Sequence, residues 1–332
     1  MIISRTPFRV SFFGGGTDYP AWYRDHGGAV IGAAINKFCY ITCRYLPPFH
    51  GFKHLIRYYR REETQSVDEI QHPSVRECLR FLDMEQGMDL VHHADLPARS
   101  GLGSSSTFTV GLLHALYAIK HEMPTKRQLA VQAIHIEQNV IGESVGSQDQ
   151  TFAAFGGLNR IDFGGPNEIQ VKPLILAPER LAALEQHIVL IFTGFQRTAS
   201  EIAREQIEHT SDKRTELQRM QELVDEAERL LMDKSAPLEE FGKLLHEQWR
   251  IKRSMSPRIT SPDIDRIYET GLKAGASGGK LLGAGAGGFM MFFVEPGRQA
   301  LVRERLGTLL HVPVRFDHLG SQIVYFSKDD YY

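Results

Sequence analysis

The chain has 332 residues, 42% of them hydrophobic, enough to bury a sizeable core in one large domain or two. Lys and Arg number 38 against 40 Asp and Glu, and a net charge of -2 gives no electrostatic case for nucleic acid or an anionic membrane as partner. Three cysteines (Cys39, Cys43, Cys78) without a CxxC pair, no N-terminal leader pattern and no run of about 18 apolar residues together predict a cytoplasmic protein working on small molecules.

Residues 2–13 alternate as a strand does, and the β-branched and aromatic stretches 29–46 and 54–59 predict further strands, so the first third is mainly sheet. At Ser104 the period changes. Phe108, Leu112 and Leu116 recur at helical spacing, and a second helix is predicted over 126–141. "GGLNRIDFGG" and "EIQVKPL" read as a hairpin, and 187–194 as a strongly apolar strand near the domain boundary, which divides 1–185 from 186–332. Residues 198–253 are charged and helical, with Leu217, Met220, Leu223, Val224, Leu230 and Leu231 on one apolar side, the pattern of a helix pair with a solvated face. "SGGKLLGAGAGGFMMFFVE" predicts strand, glycine turn and strand. A helix over 297–309 and strands over 312–317 and 321–327 complete a βαβ-like ending.

Three glycine clusters punctuate this order: "FFGGGTD" (12–18), "SGLGSSS" (100–106) and "GAGAGG" (283–288). Glycines permit positive φ and close backbone approach, so a loop of them can aim several N–H groups at one anion, above all where it opens a helix. Only the middle cluster has that context. Its serines could equally cap the helix, and its hydroxyls could ligate Mg²⁺. "GASGGKLL" around Lys280 lacks the spacing and the Ser or Thr of a Walker A loop. Gly283, Gly285 and Gly288 satisfy G-x-G-x-x-G but lead into a strand, so a dinucleotide-binding turn is excluded. His92 and His93 are strand neighbours facing opposite ways and make no metal site.

The second predicted helix places Ala130, Ile134, Glu137 and Ile141 at spacings that put Glu137 on the apolar stripe. A carboxylate there needs a partner, either a structural cation or a ligand. Twelve residues on, "GSQDQTFAAFGG" sets Asp149 among small and apolar residues. One carboxylate for a metal and one for a proton is what phosphoryl transfer to an alcohol requires.

With these residues the chain resembles the GHMP kinases, a family of small-molecule kinases, over nearly its whole length: "TPFRVSFFGGGTD" is similar to the family's motif 1, "LPARSGLGSSS" to motif 2 and "KLLGAGAGGF" to motif 3. The resemblance implies an α+β fold of two domains, a ribosomal-protein-S5 domain 2-like N-terminal domain and a ferredoxin-like C-terminal domain, with ATP and Mg²⁺ between them. It implies that Arg99, Ser100, Gly101, Leu102, Gly103, Ser104, Ser105 and Ser106 wrap the ATP phosphates, and that Ser105, with Ser104, joins Glu137 on Mg²⁺. Asp149 would take the proton of the attacking hydroxyl or orient it. Arg9 would stabilise developing charge, Asp18 would grip a sugar hydroxyl, and Gly283, Gly285 and Gly287 of motif 3 would close the site.

Where galactokinase-like members carry a Glu-His pair in motif 1, this chain has Gly15 and Gly16. The ensemble is most like the subgroup that phosphorylates D-glycero-D-manno-heptose 7-phosphate at its anomeric hydroxyl. Fucose-like, uronic acid and galactose-like acceptors, or a non-catalytic sensor, are the alternatives, and a homodimer stays open as the assembly. A sugar phosphate calls for cationic contacts. The candidates are Lys37, Arg44, Arg197 and, in "RIKRSMSPR", Arg250, Lys252, Arg253 and Arg258, a run that also reads as a solvated helix end.

Overall fold

The computed structural model describes residues 1–165, 168–195, 199–208 and 210–327, and Arg197, one of the candidate cations, lies outside them. The predicted strands at the start form as β1 (Ile2–Phe13) and, after α1 (Pro20–His26), β2 (Gly28–Tyr45). They pair antiparallel along most of their length, with Val10 opposite Ala33 and Ser11 opposite Gly32. Eighteen residues make β2 long enough to serve two neighbours: its second half pairs with β5 (Met88–Ala94) and its first half with β6 (Leu158–Phe163). The small strands β3 (His54–Arg57) and β4 (Arg61–Thr64), with α2 (Pro73–Phe81) after them, extend the far side, and β7 (Ile169–Pro173) completes the predicted hairpin with β6.

Two helices follow the middle glycine cluster, as expected. The first, α3 (Ser104–Ile119), is buried almost all round because it packs on β1 and β2 and is covered by α4 (Lys126–His135) and α5 (Gln148–Phe155). The second differs from its prediction. Regular α-geometry ends at His135, and Ile136–Ile141 forms a wider π-helical turn, closed by Gly142 at φ +78°. Such turns often accompany functional sites, and this one carries Glu137.

After α6 (Pro178–Gln186), the apolar β8 (Ile188–Phe192) starts a second sheet. The helical stretch resolves into α7 (Ala199–Glu208), α8 (Arg214–Met232), α9 (Leu238–Met255) and α10 (Pro262–Lys273). The apolar side of α8 packs on α9 and against β1 and β2, burying Leu217, Met220, Leu223, Val224 and Leu231. Next come β9 (Ala276–Leu281), β10 (Phe289–Val294), α11 (Gln299–Arg305) and β11 (Leu310–Val312). The sheet order β11-β8-β10-β9, all antiparallel, is the ferredoxin-like arrangement.

The ending departs from the βαβ expectation. Pro313 cannot donate to a ladder, so the strand predicted over 312–317 is reduced to one bridge between Phe316 and Ile35. The last strand, β12 (Gln322–Phe326), returns to the first sheet as the edge neighbour of β1, so a cut at 186 separates it from the layer it belongs to. All three cysteines are buried and free.

Candidate active site

Two backbone loops meet where the sheets approach each other. In the middle glycine loop Arg99, Gly101 and Gly103 all have positive φ, at 58°, 81° and 80°. A Cβ on Gly101 would stand 2.3 Å from the Leu282 carbonyl oxygen, and one on Gly283 2.5 Å from Gly101 Cα, so glycine at both positions lets the two loops touch backbone to backbone. Ser100 O accepts from Phe289 N at 3.2 Å and seals the seam. Gly285 packs as closely on Ile259, and Gly287 on Phe195.

The geometry at Gly103 bears on the choice between phosphate cradle and helix cap. It is the N-cap of α3 and makes no side-chain cap bond, while Ser104 Oγ accepts from Arg99 N at 3.1 Å within the loop. The first N–H groups of a 16-residue helix are therefore left for another acceptor, on the electropositive end of the helix dipole. That residue pattern fits the phosphates of ATP.

Arg9 and Asp149 come together from 140 positions apart in the chain. Arg9 Nε and Nη2 each donate to one Asp149 carboxylate oxygen at 2.7 Å, and Nη1 donates to Gly101 O at 2.8 Å. This two-pronged pair fixes the carboxylate beside the glycine loop. Asp18 is 2% exposed, with Gly16 N donating to Oδ1 at 3.0 Å and Gln148 N to Oδ2 at 3.3 Å. Burial raises its pKa above the usual carboxylate value, and those N–H donors pull the other way. A Cβ on Gly146 would fall 1.9 Å from Asp18 Oδ2, so glycine at 146 is what lets the turn close on the acid.

Glu137 is fully buried. Ser106 Oγ and Gln150 Nε2 donate to Oε2 at 2.8 and 2.5 Å, and Oε1 has no partner among the described residues. Burial raises its pKa to about 7. A carboxylate with one oxygen left without a partner and the other bonded by Ser106 fits a divalent cation, and Mg²⁺ characteristically takes one or two carboxylates plus phosphate oxygens and water. Among the described residues no group of three or more His, Cys, Asp or Glu forms a metal centre, so a cation here would draw on hydroxyls and ligand oxygens as well. Ser106 is the serine that bonds Glu137 directly, and Ser104 and Ser105 line the pocket together with Glu143.

Of the proposed cations, Lys252 alone lines the pocket among the described residues. It is 6% exposed, and Nζ donates to Gly283 O across the motif 3 loop. Burial lowers its pKa to about 8, with Arg9 adding to the effect and Asp18 and Asp149 opposing it. Arg253 is turned to Asp265 at 2.9 Å, Arg44 to Asp89 at 3.1 Å and Arg258 to Glu205 at 3.5 Å, and Lys37 and Arg250 do not line the pocket. Lys280, which fits no Walker A spacing, lines the same pocket at 2% exposure, Nζ donating to Phe12 O at 3.0 Å. Its pKa falls well below the lysine value through burial and the nearby Lys252 and Arg9. Ser11, Gln148 and Glu143 also line the pocket. The signal for Glu143 was its place in the glycine-bounded turn between the two acids. Lys280 had no such signal, since only β9 pairing with β10 aims it inward.

Residues 73–157 match the model of the GHMP kinases N terminal domain and residues 233–311 that of the GHMP kinases C terminal domain. A D-glycero-alpha-D-manno-heptose 7-phosphate kinase of Campylobacter jejuni is 30% identical over 309 residues, 89% of this chain and 90% of that protein. A bifunctional fucokinase/GDP-fucose pyrophosphorylase of Arabidopsis thaliana is 26% identical over 90% of this chain and 30% of its own length. A crystal structure described as a D-glycero-D-manno-heptose 1-phosphate kinase from Bacteroides thetaiotaomicron superposes with a TM-score of 0.74 at 25% identity, covering 99% of this chain and 100% of that one.

Proposed function

The chain belongs to the GHMP kinase family and is a sugar kinase of the ATP-dependent kind, and from that premise we propose that its acceptor is D-glycero-D-manno-heptose 7-phosphate, phosphorylated at the anomeric hydroxyl to the 1,7-bisphosphate on the way to GDP-heptose. The observation that carries the chemistry is the Arg9–Asp149 fork anchored on Gly101. It sets a carboxylate, a guanidinium and a phosphate-binding loop within one hydrogen-bonded unit.

Asp149 is the group that orients the acceptor hydroxyl and takes its proton, and its side chain is 25% exposed to the pocket. Arg9 reaches from that carboxylate to the loop, where charge builds on the transferring phosphoryl group. Asp18 and the side-chain-free Gly15 and Gly16 receive the sugar, and Lys252 supplies positive charge from the motif 3 side. Glu137 and the serines at the start of α3 would hold Mg²⁺, which neutralises charge on the β- and γ-phosphate oxygens. The likeness to the Campylobacter jejuni protein over 89% of the chain supports the heptose phosphate as acceptor.

ADP release with ATP, Mg²⁺ and the heptose phosphate tests this reading, with Asp149→Asn as the control. Asn at 149 is expected to lower turnover about 10²- to 10⁴-fold while ATP still binds. Undiminished turnover in that variant removes Asp149 from its role. The fucokinase likeness favours a second reading, a fucose-like acceptor, and L-fucose in the same assay separates the two.

A further inference from the structure

The turn between Glu137 and Asp149 brings a further carboxylate to the pocket. The π-helical turn Ile136–Ile141 ends at Gly142, whose φ of +78° reverses the chain, and a Cβ there would meet nothing within 4 Å, so the backbone angle alone calls for glycine. The N–H groups of Gly142 and Glu143 both donate to the Glu137 carbonyl oxygen, that of Glu143 at 2.8 Å. In an uninterrupted α-helix residues six apart point about 120° away from each other. Here the wider turn and the reversal tie Glu143 to the backbone of Glu137, and Glu143 lines the pocket with Ser104, Ser105 and Ser106.

The four acids in and behind this pocket are not equally served. Asp149 has Arg9, and Asp18 has two backbone N–H groups. Glu137 and Glu143 make no ion pair among the described residues. Their charges also oppose each other: burial raises the Glu137 pKa and the charge of Glu143 adds to the rise, while burial raises Glu143 in its turn, with the Ser105 side chain opposing. Two mutually repelling carboxylates, one of them fully buried with Oε1 unpartnered, call for positive charge that the surrounding side chains do not supply. A divalent cation supplies it, and carboxylate oxygens beside a phosphate-binding loop suit Mg²⁺.

We propose that Glu143 is a second carboxylate of the Mg²⁺ site, contributed by a turn outside the three glycine motifs, and that it tightens the hold on the cation that accompanies the nucleotide. This rests on the kinase reading above and on the role given there to Glu137. Glu143 is only half-buried where Glu137 is fully buried, so of the two it is the one that opens onto the pocket. A contact to the cation or to one of the waters that Mg²⁺ retains serves the same end, since both lower the cost of holding two carboxylates together.

The test is Mn²⁺ binding in the presence of saturating ADP and without acceptor, followed by the loss of the free-ion electron paramagnetic resonance signal beyond that caused by ADP alone. It compares the wild type with Glu143→Gln, Glu137→Gln and, as a control for lost charge, Glu304→Gln at an exposed position of α11, with a thermal melt of each. Glu143→Gln is expected to raise the Mn²⁺ dissociation constant about tenfold, Glu137→Gln by at least as much, and Glu304→Gln to stay within about twofold of wild type. An equal loss in Glu304→Gln reduces the effect to net charge and overturns the assignment. ADP affinity in EDTA should not weaken in Glu143→Gln, and a weakening there makes Glu143 a nucleotide contact and overturns it too. If Glu143→Gln melts early, Glu143→Ser decides by the same criteria. Mn²⁺ affinity within about twofold of wild type in Glu143→Gln overturns the assignment, and a weakened Glu137→Gln then leaves the metal site and the kinase reading standing. A wild type that takes up no Mn²⁺ with ADP overturns the metal site itself, and this assignment with it.

Discussion

Replacing Lys252 by Met exchanges a buried ammonium for an unbranched apolar side chain, and stability and activity should move in opposite directions. Burial takes the Lys252 pKa from 10.5 to about 8, and at about 1.4 kcal/mol per unit the charged form costs the fold about 3 kcal/mol near neutral pH. The variant also loses the charge-assisted bond from Nζ to Gly283 O, worth about 2 kcal/mol, which leaves a net gain of roughly 1 kcal/mol at pH 7. The pH dependence follows from proton counting. The folded-state pKa lies below the unfolded one, so between pH 8 and 10.5 the folded chain binds fewer protons and wild-type stability rises with pH through that window. Urea unfolding of both proteins at pH 7 and pH 9.5 reads this directly: the advantage of the variant should fall by about 2 kcal/mol between those two pH values. Turnover should fall, because the pocket loses a cation beside Arg9, Asp18 and Asp149. A variant less stable than wild type at pH 7, or a gap that does not close with pH, refutes the reasoning.

Gly101→Ala forces a side chain into positive φ and against the Leu282 carbonyl oxygen at 2.3 Å, so it is expected to cost about 2–4 kcal/mol of stability, read by chemical denaturation, and to weaken ATP binding, read by calorimetry. Glu137→Gln keeps a polar partner for Ser106 and removes the charge, and the Mg²⁺ concentration for half-maximal ADP release should rise about tenfold; an unchanged requirement removes Glu137 from the metal site. Arg160 on β6 bonds Asp162, Asp225 and Glu228, tying the first sheet to α8. With those partners a quarter to a half exposed, Arg160→Ala should cost only about 1–2 kcal/mol in a denaturation curve.

Much of the site was legible because its parts are local signals. The glycine loop before a helical period, the acid on an apolar stripe and the acid among small residues each violate a bland pattern within a few positions, and the structure places Arg9, Asp18, Asp149 and the 99–106 loop around one pocket. The cations were poorly legible for the opposite reason. "RIKRSMSPR" presents four basic residues at one helix end, and composition cannot say which one turns inward: Lys252 is drawn to Gly283 O while Arg253 finds Asp265. Lys280 fits no Walker A spacing and carries no other local signal of its place in the pocket.

What the sequence by itself determined are the elements whose hydrophobic period repeats over many residues, β1, β2, α3 and the helices α7 to α9, together with the glycines whose φ or contacts admit no other residue. Those properties reside in short windows of chain, where periodicity and steric allowance act. Tertiary structure decided what depends on distant partners: the return of β12 to the first sheet, the bond from Ser106 to Glu137, and the burial of Lys280 against Phe12 from 268 positions away. It also separated the three glycines of motif 1. Identical in sequence, two are required by the backbone and the third is not, a distinction that exists only once Ala29, Ser11 and Gln148 are packed around them.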